Sequence, residues 1–247
     1  MIELENLTKR FDGFVAVERL SLEIPPGELF VFLGPNGAGK TTTIKMITGL
    51  LRPTDGRVRL CGHDVQENYM AAKKLLSYVP DQPYLYEKLT GREFLRFVGQ
   101  MYGVAGADIE RKTEELADVF EMTGFLDQPG ETYSHGMKQR VVISAALLHD
   151  PRVIVIDEPI VGLDPKGANT LKRLLREQAE QGVSIFMSTH TLGVAEDTAD
   201  RVGIIRQGSL VTVGTLQEIY REARTDERLE EAFLRLTEEP TETPGHA

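Results

Sequence analysis

A chain of 247 residues, 41% hydrophobic and 27% charged, has core enough for one large α/β domain or two small ones and is not a disordered or fibrous sequence. The net charge of −10 and a pI near 5.1 argue against a general nucleic-acid surface, so no nucleic-acid partner is expected. One cysteine, Cys61, excludes an internal disulfide and suits a reducing compartment; no apolar run nears the ~20 residues of a spanning helix, so a cytoplasmic chain is expected.

In chain order, MIELENLTKRF and RLSLEIPPG alternate apolar and polar residues, which predicts antiparallel strands with one wet face. Charges from the third residue leave no apolar signal region. ELFVFLG is continuously apolar and predicts a strand buried on both faces, followed by a glycine-rich loop and an amphipathic helix, KTTTIKMITGLL. Residues 90–126 read as helical, with Thr90 as a cap and Phe94, Phe97, Val98 and Met101 spaced for one face. The insert at 83–126 reads as exposing apolar and aromatic residues, including Tyr84, Leu85, Tyr86 and Phe94, of which some pack into the core. YSHGMKQR, residues 133–140, follows a turn-prone stretch and opens another helix, with Ser134 as N-cap and Gly136 in the first turn. A helix start with accessible N–H groups is an anion site.

RVIVIDEP predicts a second buried strand, ended by acid and proline. Asp164 and Pro165 begin a helix carrying Leu171, Leu174, Leu175 and Ala179, which Gly182 ends. VSIFMSTH predicts a third buried strand, and VGIIRQGSLVTVG a hairpin turning at Gln207-Gly208. From about residue 216 the chain reads as a charged helix, and TEEPTETPGHA as a disordered end. The expected fold is α/β: a mainly parallel sheet, an N-terminal antiparallel β subdomain, and an inserted α-helical subdomain near 90–145.

GPNGAGKT, comprising Gly34, Pro35, Asn36, Gly37, Ala38, Gly39, Lys40 and Thr41, matches G-x-x-x-x-G-K-[ST] between a strand and a helix. Backbone N–H groups of such a loop, through Thr42, cradle phosphates; Lys40 reaches the β- and γ-oxygens and Thr41 ligates Mg²⁺. Asp157, ending an apolar strand, is a second candidate for Mg²⁺. Glu158 is placed to polarise a water for in-line attack. His190 is a third polar group at a strand's carboxyl end, where ligands of open α/β sheets collect. His63, His149 and His246 read as structural or solvated, whereas His135 adjoins the anion site.

Together these residues resemble the ATP-binding cassette family, the ATPase subunits of ABC transporters, from about residue 2 to 220, with the charged tail beyond. The resemblance implies a P-loop NTPase core using ATP and Mg²⁺. YSHGMKQR stands where that family has its signature motif, usually L-S-G-G-Q: Ser134 and Gly136 match, while Tyr133, His135 and Met137 depart. GLDP, ending at Pro165, resembles the D-loop with its Asp164, although Val161 replaces the usual serine. His190 matches the switch histidine that contacts the γ-phosphate, and Phe11 stands where an aromatic stacks on adenine. The family's Q-loop glutamine falls at Asp81, with Gln82 one residue later; either the aspartate senses the metal or the loop shifts by one, and a carboxylate near Mg²⁺ favours Asp81.

In that family two cassettes pair head to tail, each signature helix capping the other's nucleotide. The resemblance therefore implies a second ATPase subunit, most simply a homodimer, and an integral membrane permease that holds the protein on the cytoplasmic face. The pattern of YSHGMKQR and VGLDP is closer to exporters than to importers. A soluble single-cassette ABC ATPase is the alternative. A guanine-specific P-loop enzyme lacks support, there being no N-K-x-D.

Overall fold

Alternation of side chains along β3 (Leu29–Leu33) divides the core in two. In the computed structural model, which describes residues 1–225 and 228–237, Leu29, Val31 and Leu33 join one apolar cluster while Phe30 and Phe32 join another. Every residue of this strand is buried, as its unbroken apolar run requires. It lies inside a six-stranded sheet whose other strands are β6 (Leu76–Val79), β7 (Val153–Asp157), β8 (Ser184–Thr189), β9 (Arg201–Arg206) and β10 (Ser209–Gly214). The order is β10-β9-β3-β8-β7-β6; only the β9–β10 hairpin is antiparallel. Its turn at Gln207 (φ 47°) and Gly208 (φ 80°) has two left-handed residues, as a tight two-residue hairpin demands.

A second sheet is antiparallel, in the order β2-β1-β4-β5, from β1 (Ile2–Phe11), β2 (Phe14–Ile24), β4 (Asp55–Leu60) and β5 (His63–Asp64). Its inner face meets Phe30, Phe32 and Phe186, whose rings lie 5.2–6.4 Å apart in tilted pairs. The helices are α1 (Lys40–Ile47), α2 (Tyr69–Leu75), α3 (Gly91–Met101), α4 (Gly106–Val119), α5 (His135–Leu147), α6 (Pro165–Glu180), α7 (Leu192–Thr198), α8 (Leu216–Ala223) and α9 (Leu229–Thr237). Helices α3 to α5 form the inserted subdomain between β6 and β7.

Three expectations need correction. The helical stretch 90–126 is two helices, broken after Met101 by Gly103 at φ 77°. The buried side of α3 is Phe94, Leu95 and Gly99; Phe97 and Met101 lie outside it, Met101 at 70% exposure. A Cβ on Gly99 would stand 2.7 Å from Ile109, so α4 packs directly on the α3 backbone at that point. Finally, Leu85 and Phe94 are core residues, whereas Tyr84 and Tyr86 are exposed. The charged helix expected from 216 is the α8–α9 pair, with α9 ending at Thr237; the remainder of TEEPTETPGHA lies outside the described residues.

Candidate nucleotide site

Because β3, β7 and β8 run parallel, the segments leaving them emerge at one sheet edge. There a cavity of about 370 Å³ is lined by Asn36, Gly37, Gly39, Lys40, Thr41 and Thr42 on one side and by Asp81, Asp157 and Glu158 on the other.

The loop from Gly34 to Gly39 takes a shape only glycine permits at two points. A Cβ on Gly34 would stand 2.5 Å from the Ile205 carbonyl oxygen, and one on Gly39 (φ 110°) 2.6 Å from that of Ala16. Gly208 N–H donates to the Ala38 carbonyl at 2.9 Å, so the β9–β10 turn braces the loop from beneath, where the Ala38 side chain is buried. First-turn N–H groups of α1 have no carbonyl within the helix to bond, and its side chains supply no cap. Lys40 Nζ donates to the carbonyls of Gly34 (2.7 Å) and Pro35 (3.2 Å) and lies 3.8 Å from Glu158. Burial pulls this ammonium below its usual range, against the attraction of Glu158 and Asp157.

Opposite it, Asp157 is 2% exposed and accepts from Thr41 Oγ1 at 3.0 Å and from Ser188 Oγ. The Ser188 contact follows from register, since Asp157 and Ser188 are partners across β7 and β8. Glu158 stands just past the strand at φ 47°, a left-handed conformation uncommon for a side-chain-bearing residue. That backbone turns its carboxylate out of the strand's alternation. Glu158 Oε2 accepts from Thr189 Oγ1 at 3.1 Å, and Oε1 lies 2.8 Å from His190 Nδ1. Asp157, Thr41 and Glu158 therefore present oxygens to one cavity beside a single ammonium, a donor set suited to a hard divalent cation and phosphates. Among the described residues no group of three or more His, Cys, Asp or Glu forms a metal cage. A Mg²⁺ ion that takes most of its ligands from phosphate and water fits this arrangement.

Of the two sensor candidates, Asp81 lines the cavity and Gln82 does not. Phe11 is half exposed at the tip of the β1–β2 hairpin, with Lys9 Nζ 5.1 Å from its ring centre, and lies outside the phosphate cavity. Its cross-strand partner Phe14 lines the cavity together with Ala16. Sequence reading passed over Phe14, Ala16, Ser188 and Thr189. The two strand-end hydroxyls were visible in VSIFMSTH, but their partners depend on strand register.

Ser134, His135 and Gly136 are not at this cavity. They border a separate hollow with Arg140, Gly162 and Asp164. Ser134 caps α5, its Oγ accepting from Met137 N–H at 3.3 Å. Tyr133, in place of an aliphatic residue, is buried and accepts from Gly91 N–H at 2.9 Å, tying this loop to the start of α3. A Cβ on Gly136 would meet the Gly162 carbonyl at 2.8 Å, and one on Gly162 would strike the His135 ring. Asp164 caps α6 through Gly167 N–H (2.7 Å) and pairs with Arg140 through both oxygens at 3.0 Å. The hydrogen bond from Gly167 N–H, then Arg140, holds its carboxyl below the usual range. The two loops thus form one surface with an outward-facing helix start.

A family model described as ABC transporter matches residues 17–161. The linearmycin resistance ATP-binding protein LnrL of Bacillus subtilis (strain 168) is 35% identical over 219 residues, covering 89% of this chain and 70% of that protein. A structure titled "Structure of ATP binding subunit of ABC transporter" superposes with a TM-score of 0.92 at 34% identity, covering 96% of this chain and 100% of that one. The dimeric post-hydrolysis structure of the ATP-binding cassette MJ0796 bound to ADP and Pi gives 0.80 at 26% identity, covering 87% and 99%.

Proposed function

The chain belongs to the ABC transporter family of ATP-binding proteins, and from that premise we propose that it hydrolyses Mg-ATP at sites shared between two copies and energises export through a separate membrane subunit. One observation carries the shared site: the helix start at Ser134 and Gly136 opens on a hollow apart from the chain's own phosphate cavity. An anion-binding helix end that its own nucleotide does not fill is suited to a second copy, and in a symmetric pair each copy completes the other. The dimeric MJ0796 cassette supports this reading.

Within each site Lys40 leaves its loop carbonyls for the β- and γ-phosphates. Thr41 and Asp157 would hold Mg²⁺, which when bound would supply positive charge to the phosphoryl oxygens. Asp81, which lines the same cavity, would help to hold that ion, and Phe11 stacks on the adenine. Glu158 accepts the proton of the attacking water while His190, held by that carboxylate, contacts the γ-phosphate. Ser134 and Gly136 of the second copy bind the γ-phosphate through hydroxyl and backbone N–H.

Among the described residues no helix is long and apolar enough to cross a membrane. An apolar hollow of about 200 Å³ beside Tyr84, Tyr102 and Phe94 suits an amphipathic helix of a permease on the cytoplasmic face. The resistance function in the name of LnrL supports export. The test is fractionation with and without a co-expressed candidate permease. Recovery in membranes only with the permease, reversed by Tyr84→Glu while ATPase activity of the purified subunit persists, is the expected result. Mg-ATPase activity with no membrane protein recovered by crosslinking points instead to a soluble ATPase.

A further inference from the structure

His190 is separated from α7 by one residue. Thr191, that residue, donates its N–H to Thr189 Oγ1 at 3.0 Å, and Thr189 in turn donates to Glu158. The N-terminal end of α7 therefore sits at the catalytic edge with no slack, and its own cap supplies no side-chain hydrogen bond. Whatever fixes α7 fixes the direction in which His190 leaves β8.

Among the described residues, Glu196 is the α7 side chain that hydrogen-bonds to α8 and α9. Glu196 Oε1 accepts from the first backbone N–H of α9, that of Leu229, at 2.8 Å and from Tyr220 Oη on α8 at 3.3 Å. A carboxylate at a helix start is favoured by the unpaired N–H groups and the helix dipole there. Beneath it Val194, Ala195, Ile219, Leu229 and Ala232 form continuous buried packing. Arg235 on α9 closes the hairpin by donating to the carbonyls of Ala223 (3.2 Å) and Arg224 (2.6 Å) at the end of α8. Two further contacts, Lys172 with Asp197 and Arg176 with the Thr198 carbonyl, restrain α7 from α6 but not from the C-terminal hairpin.

We infer that Glu196 is a positioning residue for hydrolysis: it clamps the α8–α9 hairpin onto α7 and so holds His190 against Glu158. The inference rests on the proposed role of His190 at the γ-phosphate. It gives the C-terminal hairpin, which lines none of the three hollows described above, a place in the ATPase cycle. A partner that pulled the hairpin away would slow hydrolysis without touching nucleotide.

Glu196→Ala removes both hydrogen bonds, whereas Glu196→Gln keeps an Oε1 acceptor for both donors. In the full chain, Glu196→Ala is expected to lower kcat about fivefold, the two bonds to this exposed carboxylate together carrying the weight of one net hydrogen bond, with KM for ATP within about twofold. Glu196→Gln should restore the rate, and Tyr220→Phe, which leaves the Leu229 bond, should fall between. The second readout is the His190 Cε1–H resonance in ¹³C-histidine-labelled protein, expected to shift or broaden in Glu196→Ala and to match wild type in Glu196→Gln. Should Glu196→Ala unfold the protein, Tyr220→Phe carries both measurements. An unchanged His190 resonance and kcat in Glu196→Ala and Tyr220→Phe overturn the inference. So does a fall that Glu196→Gln fails to restore. A wild-type protein without ATPase activity would instead overturn the functional reading beneath it.

Discussion

Replacing Glu158 by Gln tests the chemistry at its most exposed point. The carboxylate has two filled positions, Thr189 Oγ1 on one oxygen and His190 Nδ1 on the other, and its backbone is held at φ 47°. Glutamine is nearly isosteric and keeps one acceptor, so the fold loses at most one hydrogen bond, about 1 kcal/mol. The charge is another matter. Lys40 and Glu158 stand 3.8 Å apart with side chains only 7% and 12% exposed, a separation at which unit charges attract by about 4 kcal/mol at an effective dielectric near 20. Without that carboxylate Lys40 is freer to turn to phosphate, and an anionic nucleotide meets less repulsion. ATP binding should hold or tighten, while hydrolysis loses its proton acceptor and falls about 10²- to 10⁴-fold, or ~3–5 kcal/mol of barrier. Phosphate release under single-turnover conditions measures the rate, and equilibrium binding of a fluorescent ATP analogue measures affinity. Turnover above about a tenth of wild type would refute the assignment of Glu158 as the proton acceptor.

Lys40→Ala should abolish hydrolysis and weaken nucleotide binding, because among the residues lining the cavity Lys40 is the one cation; the same two assays decide it. Glu28 supplies a pH test remote from the site. Burial pushes its carboxyl above the usual range, Arg201 opposing, and its Oε1 is buried without a partner. With the folded value raised, its contribution to stability is present in full below the unfolded value near 4.3 and is lost as pH rises through the folded one. Glu28→Gln should therefore gain on wild type between pH 4.5 and 7.5 in urea denaturation, and a constant difference would contradict this.

Much of the architecture was legible because it is written in local periods. The apolar run of β3, the run that Asp157 ends in β7, the apolar centre of β8 and the alternation in β1 and β2 are patterns of sheets buried on two faces or one. Asp164-Pro165 and Gln207-Gly208 mark a cap and a turn whose backbone needs are met by those residue types. Less legible was the segment from 55 to 79. There β4 begins with three exposed residues and β5 is two residues long, so neither carries a hydrophobic period. In α3 the spacing alone makes the apolar stripe one step too wide, because Phe97 and Met101 share it while lying outside the core; Tyr86 lies edge-on to Phe97 with ring centres 5.6 Å apart. At the site, the phosphate loop is contiguous and visible as a motif. The left-handed Glu158 and the hydroxyls of Ser188 and Thr189 become meaningful only when register sets β8 beside β7. Phe14 reaches the cavity because a two-residue turn sets it opposite Phe11.

The central claim is that Lys40 of one chain and Ser134 of another serve the same nucleotide. Mixing Ser134→Arg protein with Lys40→Ala protein measures it directly, since each variant alone has no intact site and a mixed dimer has one. With random pairing, half the dimers are mixed and each carries one working site of two, so the mixture should recover about a quarter of wild-type Mg-ATPase activity. Activity no higher than that of the separate variants, in samples where mixed dimers are shown to form, would contradict the shared site.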